Sequence, residues 1–300
     1  MTGTGYCGRF APTPSGPLHF GSLVAATGSY LEAKSRGGLW RLRIDDLDTA
    51  RVASGAIDAI LTCLEALGFE WDGAVIYQSQ RGSAYHAALH RLWQRRLLYP
   101  CACSRRRIAE IGPAGAEGPI YPGTCRSGLP RGRAARALRL KLAAATVSFD
   151  DGLFGTQHRD LEREAGDFVV YRSDGVYAFH LASAVDDGEL GITDVVRGAD
   201  LMESSARQIH VLRLLGLPAP RYTHLPVAVD SAGHKLSKQT HATAVDRLRP
   251  VPTLCAVLRF LNQSVPPELD AAALDEFWQH AVSHWDLQRV GARWSAPAHC

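Results

Sequence analysis

The chain contains 300 residues, 46% of them hydrophobic, and carries a formal net charge of +3. This length suits a main domain with attachments, and no run of about twenty apolar residues is present to span a bilayer. Residues 1–8 have neither a basic start nor an apolar centre, so we expect no secretory signal and a cytoplasmic protein with reduced thiols. The seven cysteines are scattered and only three of them cluster, which argues against a disulfide framework.

A segment rich in proline and glycine, residues 9–22, follows a short predicted strand over residues 6–10. An apolar-periodic helix begins at Ser22, so the loop lies at a helix N-terminus. Unpaired N–H groups and the helix dipole make such an end favourable for a phosphate. Gly21 would let the phosphate approach the backbone, and His19 could donate a hydrogen bond. The alternative is a proline-rich turn with a surface histidine.

Strands and helices alternate through the first hundred residues. Residues 39–44 read as a strand, residues 75–77 as a short strand, and residues 83–98 as an amphipathic helix. This order predicts a parallel sheet wrapped by helices. Three carboxylates, Asp45, Asp46 and Asp48, follow a strand, where ligands of such sheets bind, so they could hold an amine or Mg²⁺. Alternatively, Asp48 or Ser54 only caps the next helix.

The pattern changes at Tyr99, where a turn-rich segment carries three thiols and a phenol: Cys101, Cys103, Tyr121 and Cys125. Zn²⁺ binds thiolates and prefers four ligands in total in structural sites. These residue types suit a small zinc site, but the spacing alone leaves free core thiols open as the alternative.

A belt of basic residues surrounds this segment, with few acids between them. Such density favours contact with a phosphate backbone, although a solvated helical face is the alternative. The belt comprises Arg95, Arg96, Arg105, Arg106, Arg107, Arg126, Arg131, Arg133, Arg136, Arg139 and Lys141.

The second half of the chain returns to strands. Residues 168–171 and 176–181 are predicted as strands joined by a hairpin-type turn. Arg197 stands at the carboxyl end of a buried strand, where an unpaired guanidinium would be costly. We predict that it binds a carboxylate, and the alternative is a structural bridge to Asp194 or Asp200.

A strand over residues 221–229 leads into a glycine-hinged loop that contains Lys235 and Lys238. A mobile cationic loop can close on a triphosphate, and the alternative is an exposed lysine loop. From residue 245 the sheet pattern stops, and two amphipathic helices over residues 253–261 and 269–284 are predicted.

Together these motifs resemble the class I aminoacyl-tRNA synthetases. The match rests on His-Phe-Gly-Ser at residues 19–22 and Lys-Leu-Ser-Lys-Gln at residues 235–239. The glutamyl branch is indicated by residues 9–16, 43–48, 77–81 and 196–201, and the resemblance covers roughly residues 9–245. Only about 55 residues follow the lysine loop, too few for an anticodon-binding domain. The chain therefore resembles the truncated paralogues, the glutamyl-Q tRNA(Asp) synthetase family.

This resemblance implies an α/β, Rossmann-like class I synthetase catalytic domain with a zinc-bearing insertion and a short helical C-terminal appendix. It divides the chain at 1–98 and 166–245 for the two catalytic halves, 99–165 for the basic insertion and 246–300 for the appendix. The implied activity forms glutamyl-adenylate from L-glutamate and ATP with Mg²⁺. Glutamate then passes to the queuosine base in the anticodon of tRNA(Asp), with no membrane partner. Rivals are a tRNA-charging glutamyl synthetase with a separate anticodon-binding partner, a nucleotidyltransferase and a non-catalytic RNA-binding module.

The family roles transfer to matching positions. Glutamate is expected to contact Arg9, Phe10, Ala11, Pro12, Thr13, Asp45, Phe179 and Arg197. ATP is expected to contact His19, Gly21, Ser22, Lys235, Ser237 and Lys238, with His19 and Lys238 as catalytic groups. One structural zinc per chain is expected on Cys101, Cys103, Tyr121 and Cys125.

Two positions depart from the family pattern, which usually has Glu where this chain has Asp45 and Tyr where it has Phe179. Asp45 is one methylene shorter and is expected to meet the substrate ammonium directly or through water. Phe179 cannot donate a hydrogen bond. We predict that Tyr177, two residues away on the same strand face, supplies the hydroxyl.

Overall fold

The computed structural model describes residues 5–115, 118–143, 145–230, 233–236 and 245–298. The strands are β1 Cys7–Phe10, β2 Leu39–Ile44, β3 Ile76–Tyr77, β4 Leu98–Cys101, β5 Ala137–Leu140, β6 Thr146–Asp151, β7 Gly155–Asp160, β8 Val169–Tyr171, β9 Asp194–Gly198, β10 Arg221–Leu225, β11 Val227–Val229 and β12 Ser295–Pro297. The helices are α1 Phe20–Ser35, α2 Ala56–Ala66, α3 Gly82–Gln94, α4 Arg105–Ile111, α5 Leu161–Glu164, α6 Phe179–Glu189, α7 Met202–Leu215, α8 Pro250–Phe260, α9 Leu274–Ser283 and α10 Leu287–Val290.

The predicted parallel sheet is confirmed. β1, β2 and β3 pair in parallel, and β9, β10 and β6 form a second parallel set with β7 antiparallel at its edge. The Thr193 N–H donates to the Cys7 carbonyl at 2.9 Å, which joins the start of β9 to β1. The carboxyl ends of β1 and β9 consequently lie side by side, as ligand sites of open α/β sheets require.

Helices cover the sheet and bury two large apolar clusters. One is built around α1 and includes Leu23, Leu31 and Trp40 of β2, all fully buried. The other is built around α3, α6 and α7 and includes Tyr85, Leu181 and Leu212. In the described chain, no helix combines the length and the apolar character needed to cross a membrane.

The residues after α3 form a smaller antiparallel sheet in the order β4, β5, β8. A separate apolar cluster lies beside it and includes Tyr99, Cys101, Ile108, Tyr121 and Cys125. β6 falls within the predicted insertion, yet it pairs with β10 of the following half. The boundary at residue 165 stays a prediction.

Two local predictions were wrong. Residues 179–181 are not in a strand, because α6 begins at Phe179. The alternation before that point is real, since Tyr177 makes an antiparallel bridge with Tyr171, but it ends there. The sheet pattern also returns after residue 245, because β12 near the end of the chain pairs with β11.

Candidate active site

One cavity of about 830 Å³ opens at the carboxyl ends of β1 and β9. It brings together both groups of residues that were predicted to bind substrates. Its lining includes Arg9, Phe10, Ala11, Pro12, Thr13, Asp45, Phe179 and Arg197 from the glutamate set, with His19, Gly21, Ser22 and Lys235 from the ATP set. Ser237 and Lys238 lie outside the described residues.

The N-terminus of α1 faces this cavity and is capped by His19. Nδ1 of His19 accepts the Ser22 N–H at 3.3 Å, so the neutral imidazole carries its proton on Nε2. A Cβ at Gly21 would lie 3.3 Å from the His19 ring and 3.5 Å from the Leu236 carbonyl oxygen. The two sequence motifs therefore meet at Gly21, where a side chain would be tight only against the His19 ring. Half-exposed Lys235 pairs with Asp200 at 2.6 Å beside them.

A buried ion network lies behind the cavity, and its centre is a carboxylate that the motif analysis missed. Asp187 on α6 accepts Nε and Nη2 of Arg9 at 3.2 and 3.1 Å, and Nη1 of Arg43 at 2.8 Å. Arg43 also holds Asp45 through Nε at 2.6 Å. Arg9 thus holds a carboxylate between two of its nitrogen atoms, and that carboxylate belongs to Asp187. Burial alone would raise the pKa of Asp187, but the two guanidinium groups outweigh it and hold that pKa below its ordinary value.

The acidic residues after β2 separate into different environments. Asp45 lines the cavity, and burial raises the pKa of its carboxyl although the Arg43 cation opposes the shift. Asp46 accepts the N–H and hydroxyl of Ser79 at 2.8 and 2.7 Å. Asp48 pairs with Arg172 at 2.6 Å. Of these three, only Asp45 belongs to the cavity lining within the described residues.

Arg197 is buried at the cavity wall and is held by neutral acceptors. Its Nη2 donates to the Ser205 hydroxyl at 2.8 Å, and its Nε points to His224 Nε2 at 3.4 Å. The carboxylates considered as structural partners are engaged elsewhere, because Asp194 pairs with Arg221 and Asp200 with Lys235. Burial lowers the pKa of Arg197 to about 10, so the guanidinium remains charged at neutral pH.

Phe179 lines the cavity with an exposed ring, whereas the Tyr177 side chain packs elsewhere. The Tyr177 ring lies 5.3 Å from the rings of Tyr85 and Tyr171. Because α6 begins at Phe179, Tyr177 and Phe179 do not share a strand face. The prediction that they do was wrong, and Tyr177 is not among the residues that line the cavity in the described chain.

The predicted zinc ligands lie together. The sulfur atoms of Cys101, Cys103 and Cys125 are all within 4.8 Å of one another, and the Tyr121 hydroxyl lies 3.4 Å from the Cys101 sulfur. Arg139 donates Nε–H to that sulfur at 3.3 Å and places its guanidinium 3.8 Å from the Tyr121 ring centre. Burial alone would raise the pKa of the Cys101 thiol, but its hydrogen bonds with Tyr121 and Arg139 outweigh that effect and lower the pKa. Three thiols, a phenol and a cation to offset thiolate charge fit a four-ligand zinc site.

The basic belt is only partly available to a partner. Arg139 is buried beside the thiols, and Arg126 pairs with Asp167 at 3.1 Å. Arg139 does not belong to an exposed surface, which corrects its assignment to the belt, whereas the Arg126 side chain is about one third exposed. Other members of the belt do lie exposed: Arg95, Arg96, Arg105, Arg106, Arg107, Arg131, Arg133 and Arg136.

Comparison with known proteins agrees with this geometry. Residues 7–250 match the family model described as tRNA synthetases class I (E and Q), catalytic domain. A glutamyl-Q tRNA(Asp) synthetase from Aromatoleum aromaticum is 53% identical over 98% of this chain and 93% of its own length. The chain belongs to the glutamyl-Q tRNA(Asp) synthetase family.

Two further relatives extend this assignment. The family member from Chromobacterium violaceum is 51% identical over 97% of both chains. A glutamate-tRNA synthetase crystal structure from Elizabethkingia anophelis superposes with a TM-score of 0.79. It covers 97% of this chain and 68% of its own, and at 24% identity it supports the fold alone. The α/β fold and the enzyme class predicted from the sequence are thereby confirmed.

Proposed function

We propose that this chain activates L-glutamate with ATP and Mg²⁺ to glutamyl-adenylate, and then transfers glutamate to the queuosine base in the anticodon of tRNA(Asp). The observation that carries the proposal is that one cavity is lined by the predicted glutamate set and by the described members of the predicted ATP set. Within the described lining, basic side chains outnumber acidic ones: Arg9, Arg43, Arg51, Arg197 and Lys235 against Asp45 and Asp200. An excess of positive charge suits an anionic amino acid and a triphosphate.

In the first step the glutamate α-carboxylate attacks the α-phosphorus of ATP, and pyrophosphate leaves. No side-chain nucleophile is needed, so positioning and charge stabilisation supply the rate enhancement. Arg197 is proposed to bind the γ-carboxylate, and Asp45 to meet the ammonium. The α1 N-terminus with His19 and Lys235 is proposed to hold the phosphates, together with Ser237 and Lys238.

In the second step the activated acyl group passes to a hydroxyl of the modified base, and AMP leaves. The exposed arginines of the belt are proposed to meet the RNA backbone. All of these substrates belong to the cytoplasm, and the cysteines of the described chain are free thiols, which agrees with that location.

The acceptor decides between this function and the charging of a tRNA 3′ end. We expect labelled glutamate to attach to tRNA(Asp) that contains queuosine, including tRNA from which the terminal adenosine has been removed. We expect no labelling of tRNA(Asp) from cells that lack queuosine. Labelling of tRNA(Glu) that depends on its terminal adenosine would instead establish the charging reaction.

We also propose that Cys101, Cys103, Tyr121 and Cys125 hold one structural zinc ion. The four donor atoms converge in a pocket where most of them are buried, which supports this proposal. A bound Zn²⁺ would tie the loop that contains Tyr121 to the end of β4, and it has no role in the reaction itself.

Substitution of one thiol tests the zinc proposal. Cys103→Ser should reduce bound zinc from one equivalent to nearly none and loosen the insertion, because three ligands bind a structural zinc poorly. Metal analysis of protein purified without chelators measures the first effect, and limited proteolysis measures the second. Cys63→Ser on α2 is the matched control and should retain the zinc. Equal zinc in both variants would exclude the site.

A further inference from the structure

A buried chain of polar side chains, Asp151, His224 and Ser205, leads to Arg197. Asp151 ends β6, His224 lies in β10 and Ser205 lies on α7, so three neighbouring elements contribute one residue each. His224 and Ser205 are fully buried, and Asp151 is nearly so. Neither glutamate recognition nor ATP binding, as argued above, uses any of the three.

The hydrogen bonds that link Asp151, His224, Ser205 and Arg197 have a fixed direction. Asp151 Oδ2 lies 2.6 Å from His224 Nδ1, and a carboxylate only accepts, so Nδ1 carries the proton. Nε2 of the same ring is then an acceptor and faces Arg197 Nε at 3.4 Å and Ser205 Oγ at 3.0 Å. Arg197 Nη2 donates to Ser205 Oγ at 2.8 Å and to the Leu201 carbonyl at 3.3 Å.

Asp151 is itself held in one orientation. Its Oδ1 accepts the backbone N–H groups of Leu153 and Phe154, both at 3.0 Å, which leaves Oδ2 for His224. Burial lowers the pKa of His224, and the nearby Arg197 cation lowers it further. The hydrogen bond with Asp151 raises the pKa but does not outweigh them, so the imidazole is neutral.

An Asp–His–Ser order invites comparison with a hydrolytic triad, but the geometry excludes a nucleophile. The Ser205 hydroxyl is fully buried and lies within hydrogen-bond distance of Arg197, His224 and the Leu201 carbonyl. Ser205 is also absent from the cavity lining of the described chain, whereas Arg197 is part of it. The chain of contacts therefore acts on Arg197.

We propose that Asp151, His224 and Ser205 are positioning residues that hold the Arg197 guanidinium in place and thereby set the preference for glutamate over glutamine. This inference rests on the proposed function, because it assumes that Arg197 binds the substrate side chain. Nε and Nη2 make the protein contacts of Arg197 in the described chain, which leaves Nη1 for a ligand in the cavity.

The imidazole has a specific electrostatic purpose in this arrangement. A carboxylate in direct contact with Arg197 would neutralise the charge that the substrate must find. Asp151 orients the His224 ring, and the ring in turn accepts from the guanidinium through a neutral nitrogen. The cation is thus fixed in position while its charge remains available.

Asp151→Asn tests the direction of the hydrogen bonds from Asp151 to Arg197. The asparagine oxygen should keep the two backbone N–H bonds, which places its NH₂ group against His224 Nδ1. The imidazole proton would then move to Nε2 and face the Arg197 donors. We expect the KM for glutamate to rise about tenfold or more and the glutamate-over-glutamine ratio to fall, with the KM for ATP unchanged. Asp150→Asn, at the exposed neighbouring carboxylate, is the matched control and should change neither.

A spectroscopic readout separates positioning from general stability. In protein labelled with ¹⁵N-histidine, the signal that disappears in His224→Gln should report a neutral ring protonated on Nδ1. The same signal should report protonation on Nε2 in Asp151→Asn. A wild-type ring protonated on Nε2, or on both nitrogens, would overturn the proposal.

Ser205→Ala provides a second variant in case Asp151→Asn does not fold. It removes the nearer of the two Nη2 acceptors with little change in volume. The KM for glutamate is again expected to rise while the KM for ATP stays unchanged. If Arg197→Leu abolishes the preference for glutamate while Asp151→Asn and Ser205→Ala keep it, the positioning role of these residues is excluded and the proposed function stands. If Arg197→Leu itself keeps the preference, the assumption about Arg197 fails instead.

Discussion

Arg197→Leu should lower kcat/KM for glutamate by about 10²–10³-fold in ATP–pyrophosphate exchange, and should narrow the preference over glutamine. Arg197 is a buried cation whose hydrogen-bond partners among the described residues are neutral, so a γ-carboxylate would give it a directly contacting counter-charge. Glutamine offers only a neutral oxygen and leaves the cation uncompensated. Without the guanidinium, that difference between the two amino acids disappears.

The variant should keep its fold, because the groups left behind can satisfy one another. Ser205 Oγ and His224 Nε2 are already 3.0 Å apart, and leucine fills most of the vacated volume. Arg213→Leu, on the exposed side of α7, is the matched control for loss of one positive charge and should leave the exchange rate unchanged. If Arg197→Leu is slower but retains the wild-type ratio of glutamate to glutamine, Arg197 does not bind the substrate side chain.

The cavity could be predicted from the sequence because its residues lie in local signals. Prolines and glycine mark the loop before α1, and Asp45 and Arg197 each follow or end a strand. The ends of neighbouring parallel strands meet at one edge of a sheet, so residues far apart in sequence were expected to converge. The two signature motifs meet for the same reason, with Gly21 next to Leu236.

The network behind the cavity could not be predicted, because its contacts join distant segments. Arg9 and Asp187 are 178 residues apart, and Arg43 and Asp187 are 144 apart. The sequence of α6 also lacks the polar face that marks a surface helix, because residues 181–188 are buried on all sides of the helix. Alternation up to residue 179 therefore favoured a strand. Two adjacent aspartates in an otherwise apolar segment were the available signal for buried ion pairs.

Asp187→Asn should lower the free energy of unfolding by about 3–5 kcal/mol, measured by urea denaturation at neutral pH. This carboxylate is shared by two buried guanidinium groups, at 2.8 Å from Arg43 and at 3.1 and 3.2 Å from Arg9. Asparagine keeps the shape but leaves both cations without that charge, and such a loss is far more costly in the interior than at the surface. Glutamate activation should weaken as well, because Arg9 and Asp45 depend on the same network for their positions.

Asp270→Asn is the matched control, since Asp270 pairs with Arg259 on the surface. It should cost less than about 1 kcal/mol. The acid limb of stability gives an independent check. The pKa of Asp187 is lower in the folded chain than its ordinary value of about 4, so its contribution is present above that pH and is lost as pH falls through the folded value. Wild type should therefore lose stability in acid more steeply than Asp187→Asn. Equal costs for the two substitutions, with parallel acid limbs, would mean that the buried network contributes no more than a surface pair.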